Sequence, residues 1–423
     1  MSEVVQLIDL CKQELSGMYG IPAPAEEFDS SKVRYLRISD IDDNGNLLNS
    51  DMKSVSSHDI NKYLLSEGDI VFARTGNSTG RAYYHQEKNG QLAFAGFLIK
   101  FSLDSRKVNP MYLKYYTISS EYRAWVKNLS NGSTRGNINA QTFASCPIKL
   151  PERAAQDSLV QIMSTIDQKI AINNQINEEL EAMAKTLYDY WFVQFDFPDE
   201  NGKPYKSSGG KMVYNDQLKR EIPEGWGVET LSDLGTIVGG STPSKANFDN
   251  FVNSGQGISW ITPNDLSKNR SNKFISKGEV DVTEVGRLSA NLKVFPKGTV
   301  LLSSRAPIGY LAIASNELTT NQGFKSFIPN KEYNENYIYY VLKQSMKVIE
   351  QNASGSTFKE ISSTVLGEIL VVKPKINFIK KFQEKIVNIN NQIYVNEVQN
   401  QELTQLRDWL LPMLMNGQVR VEE

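Results

Sequence analysis

The longest regular pattern of apolar and polar positions runs through residues 151–193. After Pro151 this stretch has no proline and no glycine, so nothing in it removes a backbone hydrogen-bond donor or adds backbone entropy. Apolar side chains recur at steps of three and four residues, which predicts one long helix that packs along another helix. The apolar members are Ile162, Ile166, Ile176, Leu180, Met183 and Leu187, and Lys169, Asn173 and Tyr190 complete the series.

A second stretch of the same kind lies at residues 375–416, with no proline or glycine before Pro412. Asn396 and Asn400 interrupt its apolar seam, and buried polar positions can fix the register of paired helices. The alternative is two amphipathic helices that each lie on their own domain. Both stretches are much longer than a typical globular helix, which favours pairing. The apolar members are Ile379, Phe382, Ile386, Ile389, Ile393, Leu403 and Leu410.

Two regions of short strands and turns, residues 1–150 and 225–374, precede these helices and repeat one another. VRYLRISDI aligns with ISWITPNDL, which places Tyr35 opposite Trp260, and we interpret both as core residues. The segments NGST and SGST, KLP and VKP, and IDQKI and INNQI each lie 223 residues apart. Because this offset holds through the helices, each helix belongs to the repeated unit.

This pattern predicts an α+β fold with two tandem-repeated domains of mixed β-structure and short helices. Two long helices separate the domains and form an antiparallel coiled coil with pseudo-twofold symmetry; at 1.5 Å per residue, about forty residues give roughly 60 Å. Residues 194–224 are rich in Gly, Pro, Lys and Ser, which predicts an irregular surface connector. Residues 417–423 form a C-terminal tail.

Composition narrows the class of protein. A chain of 423 residues is expected to hold two or three domains. The net charge of −2 lacks the excess of a simple basic nucleic-acid binder, so such a role needs local patches or a partner's charge. The two cysteines, Cys11 and Cys146, indicate packed or surface thiols in a reducing cytoplasm. No export signal or membrane-length apolar run is present, so we expect a soluble cytoplasmic protein.

Catalytic motifs are absent from the sequence. Its two histidines, His58 and His85, do not form a cluster with metal-ligand spacing. There is no GxxxxGK[ST] phosphate loop and no strand–GxGxxG–helix unit. The chain has no Pro-Pro dipeptide, which excludes the Asn/Asp-Pro-Pro-aromatic motif of amino-methyltransferases. These absences predict a chain that is not itself an enzyme.

Several motifs, in a fixed order around the two helices, resemble one known family. They are IPEGWGVETLSDLG, GGSTPSKANFDNF, GISWITPNDLS, SRAPIGY, TTNQGF, the two Gly-Ser-Thr turns, and YDYWFVQFDFPDENGKP after the first helix. Together they resemble the specificity subunit of type I restriction–modification systems, over essentially the whole chain.

The resemblance implies two target recognition domains, at residues 1–150 and 225–374, that each read one half of a split sequence in double-stranded DNA. It implies that the helices act as a molecular ruler and dock two methyltransferase subunits, through which restriction subunits join. This chain is then expected to hold no cofactor, with S-adenosylmethionine, ATP and Mg on the partner subunits. The alternative is a non-catalytic coiled-coil adaptor with two β-rich protein-binding modules.

Candidate DNA-binding residues follow the predicted strands. Arg74 and Arg305 end the corresponding strands EGDIVFAR and KGTVLLSSR, and arginine is the commonest reader of guanine; a structural arginine paired with a carboxylate is the alternative. The Gly-Ser-Thr turns offer hydroxyls and backbone N–H groups to phosphate, or are plain turns. Asn321 and Gln322 carry amides that can pair with adenine. The full set is Arg74, Thr75, Arg81, Ser133, Thr134, Arg135, Arg305, Asn321, Gln322, Ser356, Thr357 and Lys359.

The ruler interpretation gives a first prediction. Inserting four residues into the helix at residues 151–193 is expected to lengthen the spacer of the recognised DNA sequence and to leave both half-sites unchanged. Sequencing methylated DNA from cells that carry the variant checks this, because it reports half-sites and spacer together. Altered half-sites with an unchanged spacer would contradict the ruler interpretation.

Overall fold

The computed structural model describes residues 3–130, 137–305, 307–355 and 359–419. The chain divides into two compact units. Unit 1 consists of Met1–Ile170 with Glu402–Glu423, and unit 2 is Ala171–Gln401. Each unit therefore contains one recognition-type domain together with part of each long helix.

Unit 1 is built from small β-sheets covered by helices. The strands pair in the orders β2-β9-β6-β7 and β3-β5-β4-β8, and β1 pairs with β10. The central strand β6 is buried at every position, as its nearly continuous apolar sequence predicts. The strands are β1 (Glu3–Gln6), β2 (Met18–Tyr19), β3 (Glu26–Glu27), β4 (Arg34–Leu36), β5 (Lys53–Ser54), β6 (Asp69–Ala73), β7 (Ala82–Tyr84), β8 (Leu92–Phe94), β9 (Leu98–Ser102) and β10 (Pro147–Leu150). The helices are α1 (Pro110–Tyr116), α2 (Ser120–Ser130), α3 (Ala140–Ala144) and α4 (Arg153–Tyr188), and α4 continues into unit 2.

Unit 2 has the same kind of core between its sheets and helices. Its strands are β11 (Met212–Asn215), β12 (Arg220–Pro223), β13 (Gly227–Thr230), β14 (Gly235–Gly239), β15 (Phe251–Asn253), β16 (Ile258–Ile261), β17 (Phe274–Ile275), β18 (Val280–Val282), β19 (Val300–Ser304), β20 (Ile308–Ala314), β21 (Thr319–Thr320), β22 (Lys325–Pro329) and β23 (Leu370–Lys373). Its helices are α5 (Pro263–Lys268), α6 (Glu284–Ser289), α7 (Glu335–Gln351), α8 (Ser363–Gly367) and α9 (Ile376–Met415).

The strand orders confirm the internal repeat. The order β14-β22-β19-β20 repeats β2-β9-β6-β7, and β15-β18-β16-β21 repeats β3-β5-β4-β8. The pair β13–β23 repeats β1–β10, while unit 2 adds β17 beside β20. Tyr35 and Trp260 are both buried, and each donates a hydrogen bond to a backbone carbonyl of its own unit. The interpretation of both residues as core is therefore confirmed.

The helices α4 and α9 pair in antiparallel fashion. Within unit 2, Asn173 contacts Asn400, and Asn177 contacts Asn396, so positions rise along one helix as they fall along the other. Within unit 1, the N-terminal part of α4 and the C-terminal part of α9 share one hydrophobic core. This arrangement confirms the predicted antiparallel coiled coil.

The buried seam of α4 lies partly one residue away from the predicted one. Ile166 is buried, and Ile162, Leu180 and Leu187 are half-buried. Ile176 and Met183, however, are 38% and 60% exposed, and Tyr190 is also exposed, so their placement in the seam was wrong. Asn177, Ala184 and Trp191, each one residue later, are buried at those levels instead, because a shift of one residue turns a helix by about 100°. A prediction from hydrophobicity alone places Ile176 and Met183 in the seam, although Asn177 and Ala184 are the residues that pack there.

On α9 the predicted seam is confirmed. Ile379, Phe382, Ile386 and Ile393 are buried. The other three apolar members, Ile389, Leu403 and Leu410, are half-buried.

Four asparagines join the helices at the polar part of the seam. Asn173 Nδ2 lies 2.9 Å from Asn400 Oδ1, and Asn396 Nδ2 lies 2.8 Å from Asn177 Oδ1. The repeat offset maps one pair onto the other, so the hydrogen bonds follow a local twofold symmetry. Asn173, Asn177 and Asn396 are buried between the helices. They therefore fix the register of the helix pair and are not available for contact with a partner subunit.

The connector is more ordered than predicted. Within residues 194–224, β11 and β12 form an antiparallel hairpin, and Phe195, Phe197 and Ile222 belong to the core of unit 2. The Phe197 ring stacks on Trp226 at 4.8 Å. The prediction of an irregular surface crossing was wrong because the aromatic residues at its start pack inward, despite the glycines and lysines that follow.

The asparagine pairs give a stability prediction. Asn177→Ala leaves the buried amide of Asn396 without its partner and is expected to lower the free energy of unfolding by about 1–3 kcal/mol. Replacing Asn177 and Asn396 together by Leu is expected to recover most of this loss, because no buried polar group is then left unpaired. Urea titration measures both values. Asn391→Ala, at an exposed position of α9, is the control; equal losses in the single and double variants would contradict the pairing.

Candidate nucleic-acid interface

In unit 1, Arg74 lies directly after β6, at the edge of the sheet where this central strand ends. Its backbone N–H donates to the Phe97 carbonyl at 3.0 Å, and its own carbonyl accepts from the Ile138 N–H at 2.9 Å. The guanidinium lies 4.8 Å from the centroid of the Tyr19 ring, and Nε donates to Asn137 Oδ1 at 3.2 Å. We call Tyr19, Arg74, Phe97 and Asn137 the unit-1 edge. Among the described residues, the Arg74 side chain thus contacts an aromatic ring and an amide, which favours a role in DNA binding over a structural ion pair.

Thr75 and Arg81 lie on the turn that follows. Thr75 is half-buried at the start of a short 3-10 turn. Arg81 Nε donates to Asp43 Oδ1 at 2.7 Å and Nη1 donates to the Ile41 carbonyl at 3.1 Å. These contacts give Arg81 a structural role, since its fork already holds the loop that contains Asp43.

In unit 2 the backbone at the corresponding edge has the same hydrogen bonds. The Ser304 N–H donates to the Gly323 carbonyl at 2.8 Å, and the Ser304 carbonyl accepts from the Ile361 N–H at 3.1 Å. By hydrogen-bond register, Arg74 therefore corresponds to Ser304, and Arg305 lies one residue later. The alignment of Arg74 with Arg305 was wrong because the inserted residue follows the strand end and does not lie within the strand.

Arg305 faces a carboxylate. Its Nη1 lies 3.7 Å from Glu360 Oε2, and Lys325 Nζ lies 3.9 Å from Glu360 Oε1. The side chains of Arg305 and Glu360 are 37% and 42% exposed, and such half-exposed pairs contribute little stability. Arg305 can therefore exchange this carboxylate for a phosphate oxygen. Lys359, next to Glu360, is exposed.

Asn321 and Gln322 stabilise loops at the same edge. Asn321 Oδ1 accepts from the Gly323 N–H at 2.8 Å, and the Gln322 side-chain oxygen accepts from the Thr242 hydroxyl. Each amide oxygen thus accepts one hydrogen bond, and its second lone pair is left for a further donor such as the adenine amino group. We call Thr242, Arg305, Gln322 and Glu360 the unit-2 edge. Five candidates lie outside the described residues: Ser133, Thr134, Arg135, Ser356 and Thr357.

Tyr19, Phe97, Asn137 and Thr242 were missed by sequence reasoning. The hydrogen-bond register matches Phe97 to Gly323 of unit 2. For Phe97 the only sequence signal is the tripeptide Ala95-Gly96-Phe97, because a glycine between two strands indicates a turn there.

A buried polar cluster holds the sheet of unit 2 on the helices. Lys273 Nζ contacts Glu181 Oε2 at 3.0 Å, the Tyr340 hydroxyl at 2.8 Å and Asn390 Oδ1 at 2.9 Å. Glu397 accepts from the backbone N–H groups of Lys273 and Phe274, at 2.6 and 3.0 Å. Burial lowers the pKa of Lys273 to about 8 and raises the pKa of Glu397 to about 7.

Unit 1 has a related arrangement. Asp167 on α4 accepts from Lys114 Nζ at 2.5 Å and from the Tyr115 hydroxyl at 3.1 Å, and lies 3.5 Å from Arg407 of α9. In each unit, therefore, a carboxylate on α4 binds a tyrosine and a lysine of the recognition domain. These clusters position the sheets on the helices.

Within the described ranges, no group of three or more His, Cys, Asp or Glu side chains could hold a metal ion. Cys11 and Cys146 are buried free thiols, and burial raises the pKa of each to about 12. In the same part of the chain, no helix combines the length and the apolar character that crossing a bilayer requires.

The family model for the type I restriction modification DNA specificity domain matches residues 2–182 and 223–408, one copy for each repeat. The chain belongs to the type I restriction–modification specificity family. Membership assigns it a non-catalytic role in DNA recognition, with two recognition domains. It also decides against the coiled-coil adaptor.

Known members of this specificity family resemble the chain at different levels. It is 27% identical to the specificity subunit of the type I restriction enzyme HindI of Haemophilus influenzae, over 85% of this chain and 88% of the relative. It is 38% identical to the MjaIX specificity subunit of Methanocaldococcus jannaschii, over 44% and 43%. The solved S subunit from M. genitalium aligns with a TM-score of 0.53 at 14% identity, covering 98% of this chain and 96% of that chain, and supports the fold.

Glu397 generates a pH prediction. Its folded pKa of about 7 exceeds the ordinary value of 4.5, so the folded state binds the proton more tightly between these values. The stability from this group is fully present below about pH 4.5 and is lost as the pH rises through 7, by up to about 3 kcal/mol. Lys273, with its lowered pKa, adds stability only as the pH rises above about 8.

Urea unfolding of the wild type and of Glu397→Gln at about pH 5 and about pH 7.5 isolates this contribution. The wild-type advantage over the variant is expected to shrink at the higher pH. An advantage that is the same at both values would contradict the raised pKa.

Proposed function

We propose that the chain binds double-stranded DNA with a bipartite sequence, and that unit 1 reads one half while unit 2 reads the other. The observation that carries this proposal is the shared backbone at the two edges, which presents different side chains. Unit 1 has Arg74 and the exposed Phe97 where unit 2 has the buried Ser304 and Gly323, and unit 2 brings Arg305 to this edge one residue later. One fold with two different sets of side chains fits two half-sites of different sequence.

The chemistry of the edges supports this division. Arg74 is half-buried against the Tyr19 ring, so its guanidinium is held in a limited range of orientations, as direct base reading requires. Arg305, Lys325 and Lys359 lie on or next to the unit-2 edge and suit phosphate contacts, which position a protein but carry no sequence information.

The paired helices α4 and α9 set the spacer between the half-sites in this proposal. Their register is fixed by the asparagine pairs and by the cores that each unit builds on both helices. A fixed helix pair favours one spacer length over others.

Exposed apolar residues on the helices support docking of two methyltransferase subunits. In unit 2, Ile172, Ile176, Met183 and Val395 are exposed, and in unit 1 Leu406 and Trp409 are exposed. The repeat offset of 223 residues maps Ile172 onto Val395 and Met183 onto Leu406. Two equivalent sets of contacts fit two copies of one partner. Restriction subunits then join through the methyltransferases, and S-adenosylmethionine, ATP and Mg bind to the partner subunits.

The near-neutral charge of the chain fits a shared DNA-binding surface. With a net charge of −2, the chain alone has little electrostatic attraction for a polyanion, so the partner subunits supply part of it. We therefore expect weak DNA binding by the isolated chain. With the methyltransferase present, binding becomes tight and falls steeply with salt.

The test compares DNA binding by the chain alone and with its cognate methyltransferase at two salt concentrations. With the partner present, we expect the affinity for the DNA sequence that the complex methylates to be about a thousandfold or more higher than the affinity for a scrambled sequence. Equal specific affinity with and without the partner would contradict the shared surface. If no bipartite motif binds under any condition, the DNA-reading proposal itself is wrong.

Docking of the methyltransferase subunits is tested with a variant that carries both Ile172→Glu and Met183→Glu. Both residues are exposed in the isolated chain, so folding is expected to be unchanged, while size-exclusion chromatography is expected to show a smaller complex that has lost one of its two methyltransferase copies. Ala182→Glu, at an exposed position about 100° around α4 from Met183, is the matched control.

A further inference from the structure

Phe97 is an exposed aromatic side chain at the unit-1 edge. It is 60% exposed, although neighbouring residues on the same stretch, Phe94 and Leu98, are fully buried. Exposing a phenyl ring to water costs hydrophobic free energy that burial of the same ring recovers. The isolated chain makes no use of this ring in its core.

The backbone holds Phe97 rigidly. Residues 95–98 form a tight turn, closed by the Leu98 N–H, which donates to the Ala95 carbonyl at 2.8 Å. The Gly96 N–H donates to the Ile21 carbonyl at 3.0 Å, and the Phe97 carbonyl accepts from Arg74. Three hydrogen bonds thus fix the turn that presents the ring, so binding there loses little conformational entropy.

Flat groups surround this position. The Arg74 guanidinium lies over the Tyr19 ring, and Tyr19 is itself 41% exposed. Aromatic rings and guanidinium planes are the groups on which nucleobases stack. The unit-2 edge has Gly323 in place of Phe97, so this feature belongs to one half-site only.

Resting on the DNA-reading function proposed above, we propose that Phe97 inserts at a base step of the half-site read by unit 1 and stacks on a nucleobase face there. In a closed duplex the base faces are covered, and apolar wedges reach them where a step is opened. Methyltransferases extrude their target base, which opens the stack close to the recognised sequence. Phe97 then stabilises the opened form of the DNA.

The complex with methyltransferase provides the test. Phe97→Ala and Phe97→Leu are expected to weaken binding to the cognate motif about tenfold, in the range for loss of one stacked base. Phe97→Trp is expected to retain affinity, since it keeps a planar ring. 2-Aminopurine placed in turn through the half-site reports the stacked step, and its signal change on binding is expected to be lost with Phe97→Ala.

Phe28→Ala is the matched control, because Phe28 is also an exposed phenylalanine of unit 1. Phe28 follows β3, whereas Phe97 follows β8, and these two strands lie at opposite ends of the strand order β3-β5-β4-β8. Thermal unfolding of each variant verifies folding. Wild-type affinity of Phe97→Ala for the motif would overturn the proposal, and so would equal loss with Phe97→Trp and Phe97→Ala. If the wild-type complex recognises no bipartite motif, the proposed function fails instead, so the two failures are distinguishable.

Discussion

The hydrogen-bonded pairing of α4 with α9 is the contact on which the other features depend. Most of the stability of a helix in a protein comes from packing of its apolar face, and α4 and α9 pack such faces against each other. Their seam is apolar toward the ends and polar where Asn173, Asn177, Asn396 and Asn400 meet. An amide buried in a seam tolerates few other alignments, because a shifted helix leaves its donors unpaired.

The domains are attached to this pair by chemistry of a different kind. In unit 2, Lys273 binds Glu181 of α4 and Asn390 of α9, and in unit 1 Asp167 binds Lys114 and Tyr115. Buried charges are costly to desolvate and are tolerated only in one well-satisfied geometry. Such clusters therefore contribute orientation more than stability, as a protein that aligns two reading surfaces requires.

The sequence predicts the repeated sheets and the long helices because these depend on periodicity and continuous apolar runs, as in β6. It fails where one residue decides the outcome. Ile176 and Met183 are more apolar than Asn177 and Ala184, yet lie outside the seam. Arg74 was matched to Arg305 because the place of an insertion at the end of β19 cannot be located without hydrogen bonds. The Lys273 cluster joins residues 67 to 124 positions apart, for which local patterns carry no signal.

The backbone bonds at the two edges have an evolutionary consequence. The Arg74 and Ser304 positions are held by the same main-chain donors and acceptors, and main-chain groups are the same whatever side chain they carry. On the proposed DNA-reading function, substitutions of exposed side chains at these edges, such as Phe97, alter which bases are contacted while leaving the folding energy almost unchanged. New DNA specificities can arise by single mutations without an intermediate that fails to fold. The duplicated scaffold allows the two halves of the target to diverge independently.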